Sequence, residues 1–268
     1  MSSSSNAAVD LPTGRGRALH TVDDSRAVPV AEGYERWAPI YDADPNPLLA
    51  REERYLLPLL TELRDKSVLD LACGTGRWLE KLMAQGCESG VGIDCSIAML
   101  RVAGNKTALR GRVARAGCED LPLSNALFDL AVCSFALGHI RDLGSMAQEL
   151  GRVTKPGADV FVSDLHPEAY AHGWRVGFRD GGGAVQIETR SRSVQEIVAT
   201  FCSNDFQCQT YESLWLGEPE QPFFLQSGKP HAFAKACQLP AVLIFHFKRI
   251  GSPIIEESSW QHSQEPLL

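Results

Sequence analysis

The chain has 268 residues, 44% of them hydrophobic and 22% charged, with a formal net charge of −7. That composition suits a soluble globular protein of one domain or two, and the acidic balance argues against a general binder of phosphate backbones, which needs a basic face. No apolar run approaches the roughly 20 residues of a membrane helix, and the opening Met1-Ser2-Ser3-Ser4-Ser5-Asn6 has neither the basic nor the apolar region of a secretory signal.

Residues 1–32 are rich in Ser, Gly, Arg and Asp, lack an apolar period, and read as a disordered tail. Order is expected from Gly33. Tyr34, Trp37, Ile40 and Tyr41 share one face of a short helix that Pro39 interrupts. Residues 42–47 are loop by composition. Residues 48–63 read as an amphipathic helix carrying Leu49, Tyr55, Leu56, Leu59, Leu60 and Leu63, with Pro58 as a kink.

Residues 67–72 form the first predicted strand. It runs into Cys73-Gly74-Thr75-Gly76 and a helix over 77–85, closed by Gly86. A glycine turn of this kind aims backbone N–H groups and a helix N-terminus at a ligand. A second strand over 88–93 ends at Asp94, and Ser96 N-caps the next helix. Residues 112–117 make a short third strand and 128–134 an apolar fourth. A helix over 142–153, the turn Lys155-Pro156-Gly157 and a fifth strand over 158–163 follow. Apolar strands alternating with helices predict a parallel sheet covered on both faces.

From Asp164 the regularity breaks. Residues 164–190 carry His166, His172, Trp174, Phe178 and Gly181-Gly182-Gly183, an irregular insertion of the kind that makes substrate sites. A helix is expected over 193–202, a strand over 206–216, a loop over 217–231, a helical turn over 232–237 and a last strand over 239–248. The polar tail from Gly251 reads as frayed. None of the eight cysteines forms a Cys-x-x-Cys pair, which argues against zinc or thioredoxin-type chemistry. Their apolar contexts suggest free thiols in a reducing compartment, the cytoplasm.

Gly74-Thr75-Gly76 alone allows any nucleotide. Leu79 stands where a dinucleotide fingerprint has its third glycine, and no Gly-Lys-Ser/Thr of a P-loop follows. Asp94, 18 residues beyond Gly76, is placed to accept hydrogen bonds from ribose hydroxyls.

Val68-Leu69-Asp70-Leu71-Ala72-Cys73-Gly74-Thr75-Gly76 is followed in order by Gly92-Ile93-Asp94, Cys118-Glu119-Asp120-Leu121-Pro122, Phe128-Asp129, His139-Ile140 and Glu149-Leu150-Gly151-Arg152-Val153-Thr154-Lys155-Pro156-Gly157. Over about residues 33–165 this set resembles the class I S-adenosylmethionine-dependent methyltransferases, in particular the small-molecule group with the quinone-biosynthesis and malonyl-carrier-protein enzymes. The resemblance implies an α/β, Rossmann-like, mostly parallel seven-stranded sheet with its last strand antiparallel. It also implies S-adenosyl-L-methionine as cofactor. Asp70 and the turn Ala72, Cys73, Gly74 and Gly76 would hold the methionine end. Asp94 would hold the ribose, with Cys95 or Ser96 beside the adenine and Cys118 and Glu119 at its edge. Ser134 and Phe135 would line the sulfonium, and Tyr34, Trp37 or Tyr41 would close over it. Gly117 stands where many relatives have an Asp, which leaves the adenine amino group to Glu119, a backbone carbonyl or water.

Methyl transfer from a sulfonium is an in-line displacement, and a base is needed only if the nucleophile must lose a proton. His166, directly after the fifth strand, is the first candidate, with His139 and His172 beside it and Glu168, Tyr170 and His231 behind. Trp174, Phe178, Trp215, Phe223 and Phe224 either wall a substrate or pack the irregular segments onto the sheet. Arg175 and Arg179 either pair with an acidic substrate or are solvated. The expectation is one domain over 33–250, with a helical cover at 33–64 and substrate-side insertions at 164–231. It acts on a small molecule, without metal, nucleic acid or membrane, as monomer or homodimer. The alternatives are a non-catalytic partner subunit that keeps the cofactor fold and a nicotinamide-dependent reductase.

Overall fold

A computed structural model describes residues 27–181 and 183–251. The parallel strands are β1 (Ser67–Leu71), β2 (Ser89–Asp94), β3 (Val113–Arg115), β4 (Phe128–Ser134) and β5 (Thr154–Leu165). β6 (Gly177–Asp180) and β7 (Gly183–Gln186) pair as a separate hairpin, and β8 (Phe206–Trp215) and β9 (Pro240–Arg249) complete the main sheet. Its order is β3-β2-β1-β4-β5-β9-β8, and β9 runs antiparallel to both neighbours. The expected seven-stranded, mostly parallel, Rossmann-like sheet is the one observed.

Helices α3 (Arg77–Ala84), α4 (Ile97–Asn105) and α5 (Leu143–Val153) make the crossovers. Successive residues of β1 point to opposite faces, as strand geometry requires. Val68 joins one core with Trp78, Leu82 and Val132, and Leu69 joins another with Ile93, Met146 and Phe245. A sheet buried on both faces needs apolar residues at every position, which is why these strands read as continuous runs. Strand order reverses between β1 and β4, so the crevice opens at the carboxyl ends of β1, β2 and β4.

The N-terminal cover is α1 (Val30–Trp37), a 3₁₀ turn over Ala38–Ala43 and α2 (Pro47–Leu56). Order starts before Gly33, because Val28 bridges Ile187 and α1 begins at Val30. The rest of the predicted tails, residues 1–26 and 252–268, lies outside the described residues. α2 ends at Leu56 instead of running to 63. Pro58 has no N–H for the helical ladder, yet Leu60 and Leu63 stay buried in the turns that follow.

Lys155-Pro156-Gly157 falls inside β5 rather than before it. The register with β4 jumps from Phe128↔Thr154 to Leu130↔Asp159, and the tripeptide occupies that bulge. The irregular stretch after β5 contains α6 (Pro167–Ala171) and the β6–β7 hairpin. α7 (Val194–Cys202) matches its expected span closely, with Ser193 as N-cap. The expected loop over 217–231 holds a 3₁₀ turn, α8 (Gln221–Gln226) and the start of α9 (Pro230–Ala236). No helix among the described residues is long and apolar enough to cross a membrane.

Candidate active site

A cavity of about 490 Å³ opens at the reversal of strand order, within the roughly 300–1,000 Å³ of small-molecule sites. Asp70, Ala72, Cys73, Gly74, Asp94, Cys95, Cys118, Glu119, Ser134, Phe135, Tyr34, Tyr41 and His139 all line it. Residues at the ends of β1, β2 and β4, in the loop after β3 and on the N-terminal cover thus converge on one space.

Asp94 ends β2 and is almost wholly buried. Its two oxygens accept the Gly74 N–H (2.8 Å) and the Ser96 N–H (2.7 Å). A carboxylate has about four acceptor positions, so these bonds leave it capacity for a further donor. Burial raises its pKa, while the N–H groups of Ser96, Gly74 and Cys95 pull it down. Asp70 is deeper. Its Oδ2 accepts the Leu79 N–H (2.8 Å), so it caps α3 from the neighbouring strand. Burial pushes its carboxyl up to about 7, against the Leu79 N–H and Arg77.

The glycine turn departs from the expected arrangement. The Gly74 N–H is spent on Asp94, the Gly76 N–H on the Cys73 carbonyl (2.8 Å) and the Cys73 N–H on Ile93 (3.0 Å). Gly76 does not line the cavity. It is required because φ is +75° and because a Cβ there would lie 2.3 Å from Leu109 Cδ1. Gly74, at φ +55°, faces open space. Ala72 (φ 56°) and Phe135 (φ 51°) take the same left-handed conformation without being glycine. That costs about 1–2 kcal/mol per residue. Both stand where the chain leaves the sheet beside the cavity, where strain of this sort gathers.

His139 is the histidine the fold brings to the cavity. Nδ1 donates to the Glu188 carbonyl (2.9 Å), so Nε2 is the acceptor of the Tyr34 hydroxyl (3.0 Å). Burial pulls its pKa down to about 4, with the Glu188 contact opposing, so the ring is neutral at pH 7. Burial raises the Tyr34 phenol well above its usual value, with Tyr41, Asp94 and Asp164 adding to it.

His166 and His172 are corrected by the structure. Neither lines the cavity; they cap the two ends of α6. His166 Nδ1 accepts the Glu168 N–H (3.2 Å), which leaves Nε2 to donate to Ser213 (3.1 Å), and His172 Nδ1 donates to the Glu168 carbonyl (2.9 Å). β5 lies one strand beyond the reversal, so the residue that follows it misses the crevice. Trp37 is also outside the lining. It stacks on Phe178 (5.2 Å between ring centres) behind Tyr34 and Tyr41.

None of the described residues of 164–231 lines the cavity. Trp174, Phe178 and Phe224 pack the core, while Trp215 is exposed on the outer strand of the sheet. Arg175 lies over the Tyr170 ring, 3.9 Å from its centre. The segment acts one layer back. Ile187 packs on Gly33, Asp180 pairs with Arg36 (2.6 Å), and Glu188 orients His139.

Two residues beyond the sequence reading, one on the cavity wall and one buried behind it, complete the site. Glu52 of α2 is fully buried, and its Oε1 accepts from Ser134 Oγ (2.7 Å) and from Ser163 Oγ. Its Oε2 accepts from Trp78 Nε1 (3.1 Å) and from Arg77 Nη2. Arg77 lines the cavity and also donates to Ser134 Oγ (2.9 Å). The signal was available: Leu48, Glu52 and Leu56 are four residues apart, so the carboxylate lies on the apolar stripe.

The cavity's chemistry fits an adenosyl amino acid. Asp94 is a buried carboxylate with acceptor capacity that hydroxyl groups could use, and Asp70 is a second that could meet an ammonium. Among the described residues no cluster of His, Cys, Asp and Glu could hold a metal ion.

Residues 68–157 match a family model described as Methyltransferase domain. The malonyl-[acyl-carrier protein] O-methyltransferase of Pseudescherichia vulneris is 38% identical over 136 residues, 51% of this chain and 53% of that protein. The ubiquinone biosynthesis O-methyltransferase of Hahella chejuensis is 34% identical over 132 residues, 48% of this chain and 52% of that protein. The chain thus spans about half the length of these curated relatives. A crystal structure of an S-adenosylmethionine-dependent methyltransferase from Mesorhizobium loti superposes with a TM-score of 0.59 at 19% identity, covering 74% of this chain and 98% of that one.

Proposed function

We propose, from the premise that residues 68–157 form a class I S-adenosylmethionine-dependent methyltransferase domain, that the protein transfers a methyl group to the hydroxyl of a small molecule. The observation that carries this reading is the convergence of Asp70, Asp94, Ser134, Tyr34 and His139 on one cavity at the reversal of strand order. S-adenosylmethionine supplies an electrophilic methyl and its own leaving group when bound. Asp94 holds the ribose. Asp70 holds the ammonium, and Tyr34 and Tyr41 exclude water above the reacting centre. Tyr34 Oη accepts the proton of the acceptor hydroxyl while its own proton passes to His139 Nε2, and Glu188 keeps the ring in the required tautomer.

The two relatives named above are O-methyltransferases by name, which supports a hydroxyl acceptor here. Asp70 speaks against the reductase alternative, because it occupies the helix N-terminus where a dinucleotide would place its pyrophosphate. All eight cysteines are free thiols, in keeping with a reducing compartment such as the cytoplasm.

Calorimetry with S-adenosylmethionine and S-adenosylhomocysteine, followed by labelled-methyl transfer into a metabolite extract, tests the reading. Folded protein that binds neither ligand at millimolar concentration would overturn it. Asp94→Ala is expected to weaken cofactor binding at least tenfold, about 1.4 kcal/mol; an unchanged dissociation constant would place the ribose elsewhere. Asp70, with its pKa near 7, is partly protonated in the ligand-free protein at neutral pH. Binding the ammonium favours the charged form, so S-adenosylhomocysteine affinity rises from pH 6 to pH 8 and binding near pH 7 releases protons. Titration in buffers of different ionisation enthalpy measures that release, and Asp70→Asn abolishes it.

A further inference from the structure

Charge is unevenly shared around the cavity. Two guanidinium groups line it, on Arg77 and Arg115. Arg77 is committed within the protein: both hydrogens of Nη2 are taken, by Glu52 and by Ser134 Oγ (2.9 Å), and Nη1 lies 3.7 Å from Glu53. Arg115 ends β3 and donates to the Cys95 carbonyl (3.1 Å), on the far side of Asp94. Of the carboxylates in the lining, Glu35 alone lies on the cover helix α1. Val30, Ala31, Tyr34 and Glu35 line the cavity together, as neighbours one turn apart on one helical face do. The other two charged side chains of α1 are spent, since Arg36 pairs with Asp180 of the β6–β7 hairpin (2.6 Å) and with Glu32 (3.4 Å). Glu35 is exposed and, among the described residues, has neither an ion pair nor a hydrogen bond. The space beside Tyr34 therefore holds the phenol–imidazole pair, an apolar wall from Val30, Ala31 and Ile140, and one unspent carboxylate.

We propose that the methyl acceptor is a hydroxyl compound with an apolar body and a protonated amine, and that Glu35 is the residue that selects it. The inference rests on the hydroxyl-transfer reading given above. In that step the acceptor oxygen bonds the methyl carbon, and the sulfonium sulfur keeps the electron pair of the broken C–S bond. The hydroxyl proton leaves toward Tyr34, and the ammonium is unchanged. Protonation also keeps the amine's lone pair from competing for the methyl group. An acceptor bearing a carboxylate or phosphate would meet Glu35 with no uncommitted cation beside it among the described lining, and like charges in a partly desolvated space repel. An uncharged acceptor would displace water from Glu35 and return nothing for it. A cationic one turns the same carboxylate into an attraction, so a single side chain both favours one acceptor class and rejects another.

Labelled-methyl transfer by the full chain into a metabolite extract, split afterwards on ion exchangers at neutral pH, reads the charge of the acceptor. Label is expected in the fraction held by the cation exchanger. Three catechols give the same readout with defined probes: dopamine ends in an ammonium, hydroxytyrosol in a hydroxyl and homoprotocatechuate in a carboxylate. Dopamine is expected to take label at least about tenfold faster than homoprotocatechuate at equal low concentration, with hydroxytyrosol between them. Glu35→Gln brings the two charged probes within about threefold of each other, and Glu35→Arg reverses their order. Both variants replace an exposed side chain without partners, and their S-adenosylhomocysteine affinity is expected to stay within about threefold of wild type. Protein that binds S-adenosylhomocysteine but labels nothing in the cationic fraction overturns the inference, as does a Glu35→Gln protein that keeps the tenfold preference. A Glu35→Gln protein that loses S-adenosylhomocysteine affinity also overturns it, because the carboxylate then serves the cofactor. Label confined to acidic or uncharged O-methyl products removes this inference alone and leaves the hydroxyl-transfer reading standing. Wild-type protein that does not bind S-adenosylhomocysteine removes both.

Discussion

His139→Gln and Tyr34→Phe are each expected to lower kcat for methyl transfer by about 10²–10⁴, the usual contribution of a positioned acid or base, while S-adenosylhomocysteine affinity stays within about threefold. The expectation follows from two hydrogen bonds in series. Glu188 O accepts from His139 Nδ1, and His139 Nε2 accepts from the hydroxyl of Tyr34, which lines the cavity. Phenylalanine keeps the ring of Tyr34 and removes the relay atom. Glutamine keeps a polar side chain at 139 but cannot take the proton. Because the two residues act as one unit, the double variant loses no more than the worse single one.

The pH profile gives a second readout of the same relay. Burial sets the His139 pKa near 4, so the imidazole stays able to accept a proton well below the usual 6.5. With cofactor and acceptor saturating, the acid limb of kcat should lie near pH 4–5. An acid limb at 6.5, or a His139→Gln enzyme that turns over like wild type, would remove the ring from the mechanism.

Glu52→Ala is expected to destabilise the fold by about 3–5 kcal/mol, the cost of stranding one member of a buried pair. For a chain of this size that corresponds to a fall in Tm of roughly 6–20 °C. Arg77 would lose its closest carboxylate, and Ser134, Ser163 and Trp78 would lose an acceptor. Urea unfolding of the single variant, and of Glu52→Gln with Arg77→Met, separates pair from packing. Replacing both charges together is often nearly neutral, so the double variant should recover most of the loss. Equal losses would mean that the volume at position 52 matters and the charge does not.

Glu52 also explains how the cover is joined to the core. α2 precedes the matched residues in the chain, yet its carboxylate sits under the ends of β4 and β5. Further links are Thr75 Oγ1 donating to Asp42 (2.6 Å) and Lys106 pairing with Asp42 (2.9 Å). These bonds fasten the 3₁₀ turn of the cover to the glycine turn and to the end of α4. The cavity is therefore built by both parts together.

The strands, their order along the chain and the carboxylates at their ends were legible in the sequence, because each depends on local pattern. Apolar runs specify strands buried on both faces, and Gly74-Thr75-Gly76 with Asp94 specifies turns at their carboxyl ends. What each side chain does there was decided only by tertiary packing. His166 follows a strand as expected, but that strand lies beyond the reversal, and the ring caps a helix. His139, in the loop after β4, reaches the cavity because Glu188, 49 residues later, holds its other nitrogen. Glu52 reads locally as one polar residue on an apolar stripe. Its meaning comes from β4, β5 and α3 closing around it, and hydrogen bonds between residues so far apart in the chain leave no mark in local periodicity.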